Sequence, residues 1–465
     1  MKALIILALT GVFTLFAGLN ASKRAVVQAI AIAGLGLALV ATIWDRFWAE
    51  PFSIVNMLTF DHYALAFSSV AILITLLIVM LGRSSYQGES ENFGDFKALL
   101  VFSLCGALCL FSFDNLIMLF LGIEILSIPL YVLAGIRKNH PASNEAALKY
   151  FFMGAFATGI LLFGITLIYG ATASFSLPEI SKVISGASNQ PSGMMKVGIL
   201  LVLIGLSFKV AAAPFHFWSP DVYEGSPNLV TLFMATVVKM AGFAAFFRLF
   251  DVSFAQISSV WAPTLAVMAL LTMSIGNLTA LFQTGFKRML AYSSIAHAGY
   301  LLLGILACTR YGGGGMLLYT LAYAVATVCA FTVFILVAQQ KPEETTGLDA
   351  FRGLGRRQPL AAFAMTVALL SMAGIPPLAG FFGKYFLFAQ AFSDYSWLVI
   401  AAVVNSAISI VYYFRVITEM YFKSGDGVEA APLILPLAYR FVLVVAIFML
   451  FAISVLPGLI LNWVG

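Results

Sequence analysis

The chain has 465 residues, 62% of them hydrophobic and only 10% charged, with 25 Lys and Arg against 20 Asp and Glu for a formal net charge of +5. A water-soluble domain of this composition would expose large adhesive surfaces, so a soluble enzyme is excluded and a polytopic membrane protein is expected. The small cationic excess reports membrane orientation rather than nucleic-acid binding.

Apolar runs of bilayer-crossing length recur at 2–20, 26–44, 61–82, 97–113, 116–136, 145–172, 194–213, 228–250, 263–282, 289–308, 314–338, 360–391, 395–422 and 434–462. They predict an all-α fold of about fourteen transmembrane helices joined by short loops, with no separate soluble domain. The opening "MKALIILALTGVFTLFAGLNASKRAV" imitates a secretory leader, with Lys2, an apolar run and then small residues, and is read as the first span. The expected organisation is one membrane domain over 1–465: three spans in 1–96, five in 97–250, five in 263–422 and a last one in 434–465.

Lysine and arginine set the orientation. With the N-terminus outside, Lys23, Arg24, Arg83, Lys97, Arg137, Lys138, Lys149, Lys287, Arg288, Lys341, Arg352, Arg356, Arg357, Arg415, Lys423 and Arg440 fall at the inner side. Lys2, Arg46, Lys182, Lys196, Arg248 and Arg310 fall outside. Sixteen against six predicts both termini on the outer side.

Four charges remain inside the spans: Glu124 in "FLGIEILSIPLY", Lys209, Lys239 in "TLFMATVVKMAGFAAFFRLF", and Lys384. Unpaired, they cost on the order of 10 kcal/mol on insertion scales, comparable with the whole stability of a domain. Structural ion pairs are the plainer reading, but one carboxylate leaves at least two lysines over, and buried pairs stabilise little. A proton relay is the sharper reading. A dry surround disfavours a lysine's charge and a carboxylate favours it, so a lysine held between the two can load and release a proton near neutral pH.

Two spans are interrupted. "LIGLSFKVAAAPFHFWSP" carries Pro214 after Lys209, and "LSMAGIPPLAGFFGKYF" carries Pro376 and Pro377 before Lys384, among Gly374, Gly380 and Gly383. Proline inside a helix removes a backbone hydrogen bond, and irregular backbone at membrane depth survives only inside protein or along a wet cavity. An ordinary proline kink is the alternative; a lysine within about two turns of each break argues for more. The breaks fall on the fourth helix of two consecutive five-span blocks, spans four to eight and nine to thirteen. An odd number of spans makes the second block enter from the opposite side, which is an inverted-topology repeat. Glu124 lies in the second helix of one block, and His297 ("YSSIAHAGYLLLG") in the second helix of the other. The correspondence is imperfect, because Lys209 precedes its proline and Lys384 follows.

Histidine titrates nearest neutrality, and His297 lies between the lysine groups, so it is a relay candidate. His216 beside Pro214 is a weaker one, and His62 and His140 read as loop or span-end residues. Glu145 and Lys149 form an i,i+4 pair, and Lys149 could also feed protons inward. Cys105, Cys109, Cys308 and Cys329 have no neighbouring His and read as apolar filler rather than a zinc site. There is no phosphate-binding loop and no dinucleotide fingerprint, and "YGGGG" at 311–315 reads as an outer turn. Any electron transfer belongs to a partner.

The stretches "FKVAAAPFHFWSPDVYEGSPNLVTLFMATVVKMAGF", "FKRMLAYSSIAHAGYLLLG" and "LSMAGIPPLAGFFGKYFLF" closely resemble the antiporter-like subunits of proton-pumping NADH:quinone oxidoreductase, respiratory complex I, and among them the subunit N family. The wording "KVAAAPFHFWSPDVYEG" and the lysine in span twelve separate the chain from the L and M types, and no long lateral helix follows the last span. The resemblance implies fourteen helices with two inverted five-helix repeats and a broken helix in each. It places the family's channel residues on Glu124, Lys209, Lys239 and Lys384, with His297 between them. It further implies a bacterial inner membrane and other membrane-arm subunits as partners. This chain would then hold no cofactor; NAD, FMN, iron–sulfur clusters and quinone would sit in partner subunits. Rival classes are a subunit of a multi-subunit sodium/proton antiporter, a structural membrane anchor and a single-chain solute transporter. The anchor leaves the lysines unexplained, and the transporter lacks a polar substrate pocket.

Overall fold

In a computed structural model, residues 1–19, 24–85, 92–186, 191–307, 313–339, 347–423 and 433–464 are described; Lys23, Cys308, Arg310 and Lys341 lie outside them. The chain is a helical bundle, because inside a bilayer only a helix satisfies every backbone group within its own segment. The helices run α1 (Lys2–Gly18), α2 (Arg24–Trp48), α3 (His62–Ser85), α4 (Phe93–Ser112), α5 (Leu116–Ala134), α6 (Pro141–Thr172), α7 (Leu177–Gly186) and α8 (Gly193–Lys209). After the short α9 (Trp218–Gly225), α10 (Asn228–Phe233) runs through a π turn at Met234–Val238 into α11 (Lys239–Val252). Then follow α12 (Ser258–Leu281), α13 (Phe286–Leu306), α14 (Gly314–Ala338), α15 (Pro359–Ala373), α16 (Ala379–Tyr421), α17 (Leu437–Val455) and α18 (Pro457–Leu461). Helix starts carry the expected chemistry. The Asn115 side chain accepts from the Ile117 amide at 2.9 Å, Ser192 accepts from Met195 at 3.2 Å, and Pro141 and Pro359 open their helices, where a missing N–H costs nothing.

Among the described residues, eleven helices are long and apolar enough to cross a membrane. The expected fourteen differ from this at α1, at the broken α8, and at the twelfth and thirteenth spans. There the chain breaks at 374–378 and then continues as α16, kinked at Tyr395. Two elements escaped the sequence reading. A ribbon pairs Phe52–Ile54 (β1) with Leu58–Phe60 (β2), turning through Val55 and Asn56 at positive φ, the geometry that matches hairpin twist. The helix α7 runs between α6 and α8. Of the glycine turn expected at 311–315, Tyr311 and Gly312 lie outside the described residues, and Gly314 and Gly315 are the first residues of α14. A Cβ on Gly314 would meet the Leu461 carbonyl oxygen at 2.5 Å, so the glycine admits the C-terminal turn.

Packing divides the bundle into an outer shell and a protein-enclosed centre. The first span is part of it, with α1 against α2 and α4 and Lys2 paired to Asp45 at 2.6 Å. In α2, α6, α16 and α17 a third to two fifths of the apolar window is buried, whereas every residue of the window in α10–α11 is buried, as is 94% in α13 and α14. Lys239 and His297 therefore lie on helices that lipid does not reach. Helix pairs close by glycine. A Cβ on Gly106 would lie 2.3 Å from the Leu126 backbone nitrogen, and one on Gly276 would lie 2.4 Å from that of Ala296.

Gly276→Val forces α12 and α13 apart against backbone, and overpacking of this kind costs about 1–3 kcal/mol. The expected outcome is a lower yield of the chain in the purified assembly, read by quantitative immunoblot; an unchanged yield would refute the tight contact.

Candidate functional site

The predicted residues fall into two clusters. In the first, Lys209 ends α8, and its ammonium donates to the Ser127 hydroxyl of α5 at 2.6 Å and lies 5.9 Å from the Tyr150 ring centre. Ser127 in turn donates to the Ile123 carbonyl. Glu124 is one turn before Ser127 on α5, half-buried, and among the described residues it makes no ion pair. Its neighbours Leu121, Ile125 and Ile128 are exposed. A carboxylate on an apolar outward face within a span is costly in lipid. A small cavity bounded by Ser127, Tyr131, Tyr150, Phe208 and Lys209 lies between α5, α6 and α8.

In the second cluster, Lys239 follows directly on the π turn, a feature that is rare and concentrated at functional positions. Its ammonium donates to both the backbone carbonyl and the hydroxyl of Ser294 in α13. The preceding residue, Ser293, is hydrogen-bonded to the Tyr413 hydroxyl of α16. Tyr413 lies 3.1 Å from His297 Nε2, and the Tyr319 hydroxyl lies 2.5 Å from His297 Nδ1. His297 thus joins α13, α14 and α16. It also lines a small cavity with Tyr319, Tyr323, Ser371 and Lys384. Lys384 donates to the Ala373 carbonyl at 2.9 Å and the Ser406 hydroxyl at 2.7 Å, and lies 5.1 Å from the Tyr300 ring centre.

The second break supplies one of these acceptors. Ala373 ends α15, so its carbonyl has no intrahelical donor and is open to Lys384. At the first break, Trp218 Nε1 donates to the Phe208 carbonyl at 3.0 Å and the Ala213 amide to Thr272 at 2.9 Å. Each break also passes through a left-handed residue, Ala211 and Gly374. At Ala211 the side chain makes that conformation costly, a kind of strain that clusters at functional sites.

Other candidates resolve as follows. His216 is buried beside the first break with Nδ1 unpartnered among the described residues, outside both clusters. His62 opens α3 and His140 caps α6, span-end positions as expected. Cys105, Cys109 and Cys329 are buried free thiols. Lys149 meets Glu145 at 2.6 Å, and also Asp221 at 2.6 Å. Asp221 in turn holds Arg288 at 2.9 Å, clasping α6 to α13 through α9. Burial works against ionisation of Asp221, but hydrogen bonds from Lys149 and Arg288 prevail and hold its carboxyl below the usual range.

Sequence reasoning missed the hydroxyls that serve the lysines: Ser127, Ser293, Ser294, Tyr319, Tyr413 and Ser406. The motifs "YSSIAH" and "VYYF" contain three of them, but serine and tyrosine are ordinary in spans and carry no composition signal. It also placed Lys97 and Lys287 at the inner loops. Both are buried: Lys97 is 0% exposed, and Lys287 donates to the Glu224 and Ser226 carbonyls at 2.9 and 2.6 Å.

Broken helices, enclosed lysines held by hydroxyls and carbonyls, and a histidine between tyrosines define a membrane protein of the antiporter-like class. Residues 114–409 match the model of the family described as "NADH:quinone oxidoreductase/Mrp antiporter, TM". A NADH-quinone oxidoreductase subunit N of Flavobacterium psychrophilum is 41% identical over 464 residues, covering 99% of this chain and 100% of the relative. A chain of respiratory complex I from Thermus thermophilus with bound aureothin superposes with a TM-score of 0.83 at 36% identity, over 99% of this chain and 98% of that one. A chain of the Mrp complex from Dietzia shares the fold, with a TM-score of 0.84 at 20% identity over 100% and 96%. The chain belongs to the NADH:quinone oxidoreductase/Mrp antiporter membrane family.

Two outcomes are expected. Tyr413→Phe removes the hydroxyl between Ser293 and His297 while keeping the ring, a loss of about 1 kcal/mol per hydrogen bond. The variant should assemble and move fewer protons per turnover, checked by dye quench in proteoliposomes. For Asp221, a lowered folded pKa gives stabilisation that is full above the unfolded value of about 4 and is lost as pH falls through the folded value. The melting difference between the native chain and Asp221→Asn should therefore be constant at neutral pH and shrink only below about pH 4.

Proposed function

We propose that this chain is the antiporter-like, proton-translocating membrane-arm subunit of an NADH:quinone oxidoreductase, moving protons through Glu124, Lys209, Lys239, His297 and Lys384. The observation that carries the reading is the second cluster. Lys239 bonds Ser294, the adjacent Ser293 bonds Tyr413, Tyr413 bonds His297, and His297 shares a cavity with Lys384. Each named side chain is a hydroxyl, an imidazole or an amine, able to give and take a proton; Ser294 and Ser293 are neighbours in sequence, and His297 and Lys384 face each other across the cavity. No lysine of the path is pinned by a carboxylate among the described residues, so each charge is held loosely enough to change.

Glu124, half-buried on an apolar outward face, is read as the contact with a neighbouring membrane-arm subunit. Its charge state biases Lys209, and protons pass by way of Lys239 and His297 to Lys384. NADH oxidation and quinone reduction, with NAD, FMN, iron–sulfur clusters and quinone, are assigned to partner subunits, and the enzyme class, a translocase, is that of the assembly. The location is a bacterial inner membrane, with both termini on the outer side by the distribution of basic residues.

We also propose the two five-helix blocks as inverted repeats. The close approaches of Gly106 to Leu126 and of Gly276 to Ala296 have the same spacing in sequence, which favours the pairing. Aligned this way, Ser127 corresponds to His297 and Glu124 to Ser294, a shift from the pairing of Glu124 with His297. The sodium/proton antiporter alternative rests on a likeness at 20% identity, which is one of fold, whereas the relative matching along its whole length is an NADH-quinone oxidoreductase subunit.

Lys239→Met keeps the stem and removes the amine. In the purified complex in proteoliposomes it should lower the ratio of protons moved to NADH oxidised, with the chain still incorporated. An unchanged ratio would sink the relay.

A further inference from the structure

Beyond the lysines of the relay, α4 holds another enclosed amine. Lys97 is one turn into the helix and 0% exposed. Among the described residues its ammonium has one polar contact, the Val79 carbonyl of α3 at 3.1 Å, and it lies 5.4 and 5.6 Å from the ring centres of Phe93 and Phe96. The same carbonyl already accepts from Gln28 Nε2 of α2 at 2.6 Å, so two donors share one acceptor. Gln28 Oε1, by contrast, is buried without a partner among the described residues. The backbone is cut to fit the amine: a Cβ on Gly82 would lie 2.0 Å from Lys97 Nζ.

These are the surroundings of Lys239 and Lys384, a carbonyl or hydroxyl with no carboxylate among the described residues. They are not those of Lys2 or Lys149, which pair with acids at 2.6 Å. A fixed structural ammonium at this depth would be expected to hold a counter-charge or a full set of acceptors; among the described residues this one has neither, while an unused acceptor stands beside it. Position adds to chemistry. Lys97 lies at the end of the bundle where α4 begins, the same end as the Lys149–Asp221–Arg288 clasp. Leu229, in the first turn of α10, closes on the Gly82 notch, and α10 continues into the π turn and Lys239.

We propose that Lys97 is a further proton-loading station of this subunit, taking one proton from the aqueous phase at that end to become an ammonium and returning to the amine as it passes the proton inward toward Lys239. The inference rests on the relay reading above. Gln28 serves as a positioning residue, its free oxygen offering the polar contact through which a proton can enter.

The test uses the whole complex in proteoliposomes and reads protons moved per NADH oxidised. Lys97→Met removes the amine, Lys97→Arg keeps a permanent charge that cannot deprotonate, and Gln28→Glu sets a carboxylate beside Lys97 that pins it as an ammonium. All three should lower the ratio. A full ratio in Lys97→Arg assigns the residue as a structural cation and overturns the proposal, as does a full ratio in Lys97→Met. If neither Lys97 variant assembles, Gln28→Glu decides alone: a lowered ratio upholds the station and a full ratio removes it. Lys239→Met run alongside separates the two readings. Loss there with full pumping in the Lys97 and Gln28 variants discards Lys97 only, while full pumping throughout discards the relay itself.

Discussion

The structure depends on how a charge is kept where water is scarce. An unpaired ammonium in a low-dielectric interior is expensive, and a salt bridge would fix it in one protonation state. The chain uses an intermediate solution, giving its central lysines neutral acceptors: Ser127 for Lys209, Ser294 for Lys239, and Ser406 with the Ala373 carbonyl for Lys384. Neutral dipoles lower the cost of the charge without binding it to one partner. The acids are spent elsewhere, at Asp45, Asp61, Asp221 and Glu419, where they pair with Lys2, Arg248, Arg288 and Arg352 and fasten the ends of helices.

The architecture supplies those acceptors. Breaking a helix exposes carbonyls that an intact helix would consume, and the break before α16 delivers the Ala373 oxygen to Lys384. Glycines bring α4 to α5 and α12 to α13 at backbone distance, which sets Ser127 and Ser294 at the depth of their lysines. The outer helices take the lipid contact, and the inner helices are left free to carry polar groups.

Much of this was legible in sequence because a charge in an apolar run is conspicuous. Lys209, Lys239, Lys384 and Glu124 announced themselves by cost, and Pro214, Pro376 and Pro377 marked the breaks. Lys97 and Lys287 were hidden because each stands near a predicted span edge, where a lysine is normally solvated by reaching to the interface. Only the packing of α3 over Lys97, and of the end of α9 over Lys287, shows otherwise. The hydroxyls of Ser293, Tyr319 and Tyr413 were invisible for the opposite reason: they are common in spans, and their meaning comes from three helices meeting at His297. The ribbon at 52–60 was too short to register as a pattern.

The enclosure of α10–α11 has a mechanical consequence. A helix with protein on every side cannot tilt or slide without displacing its whole surround, and close-packed interiors resist such motion. The rocking of one half against the other that serves many transporters is therefore poorly suited to the helix that carries Lys239. What can move there is small: a lysine rotamer, a hydroxyl rotor, an imidazole changing its tautomer. The gate in such a molecule is a matter of where hydrogen atoms point, and the helices act as its fixed frame.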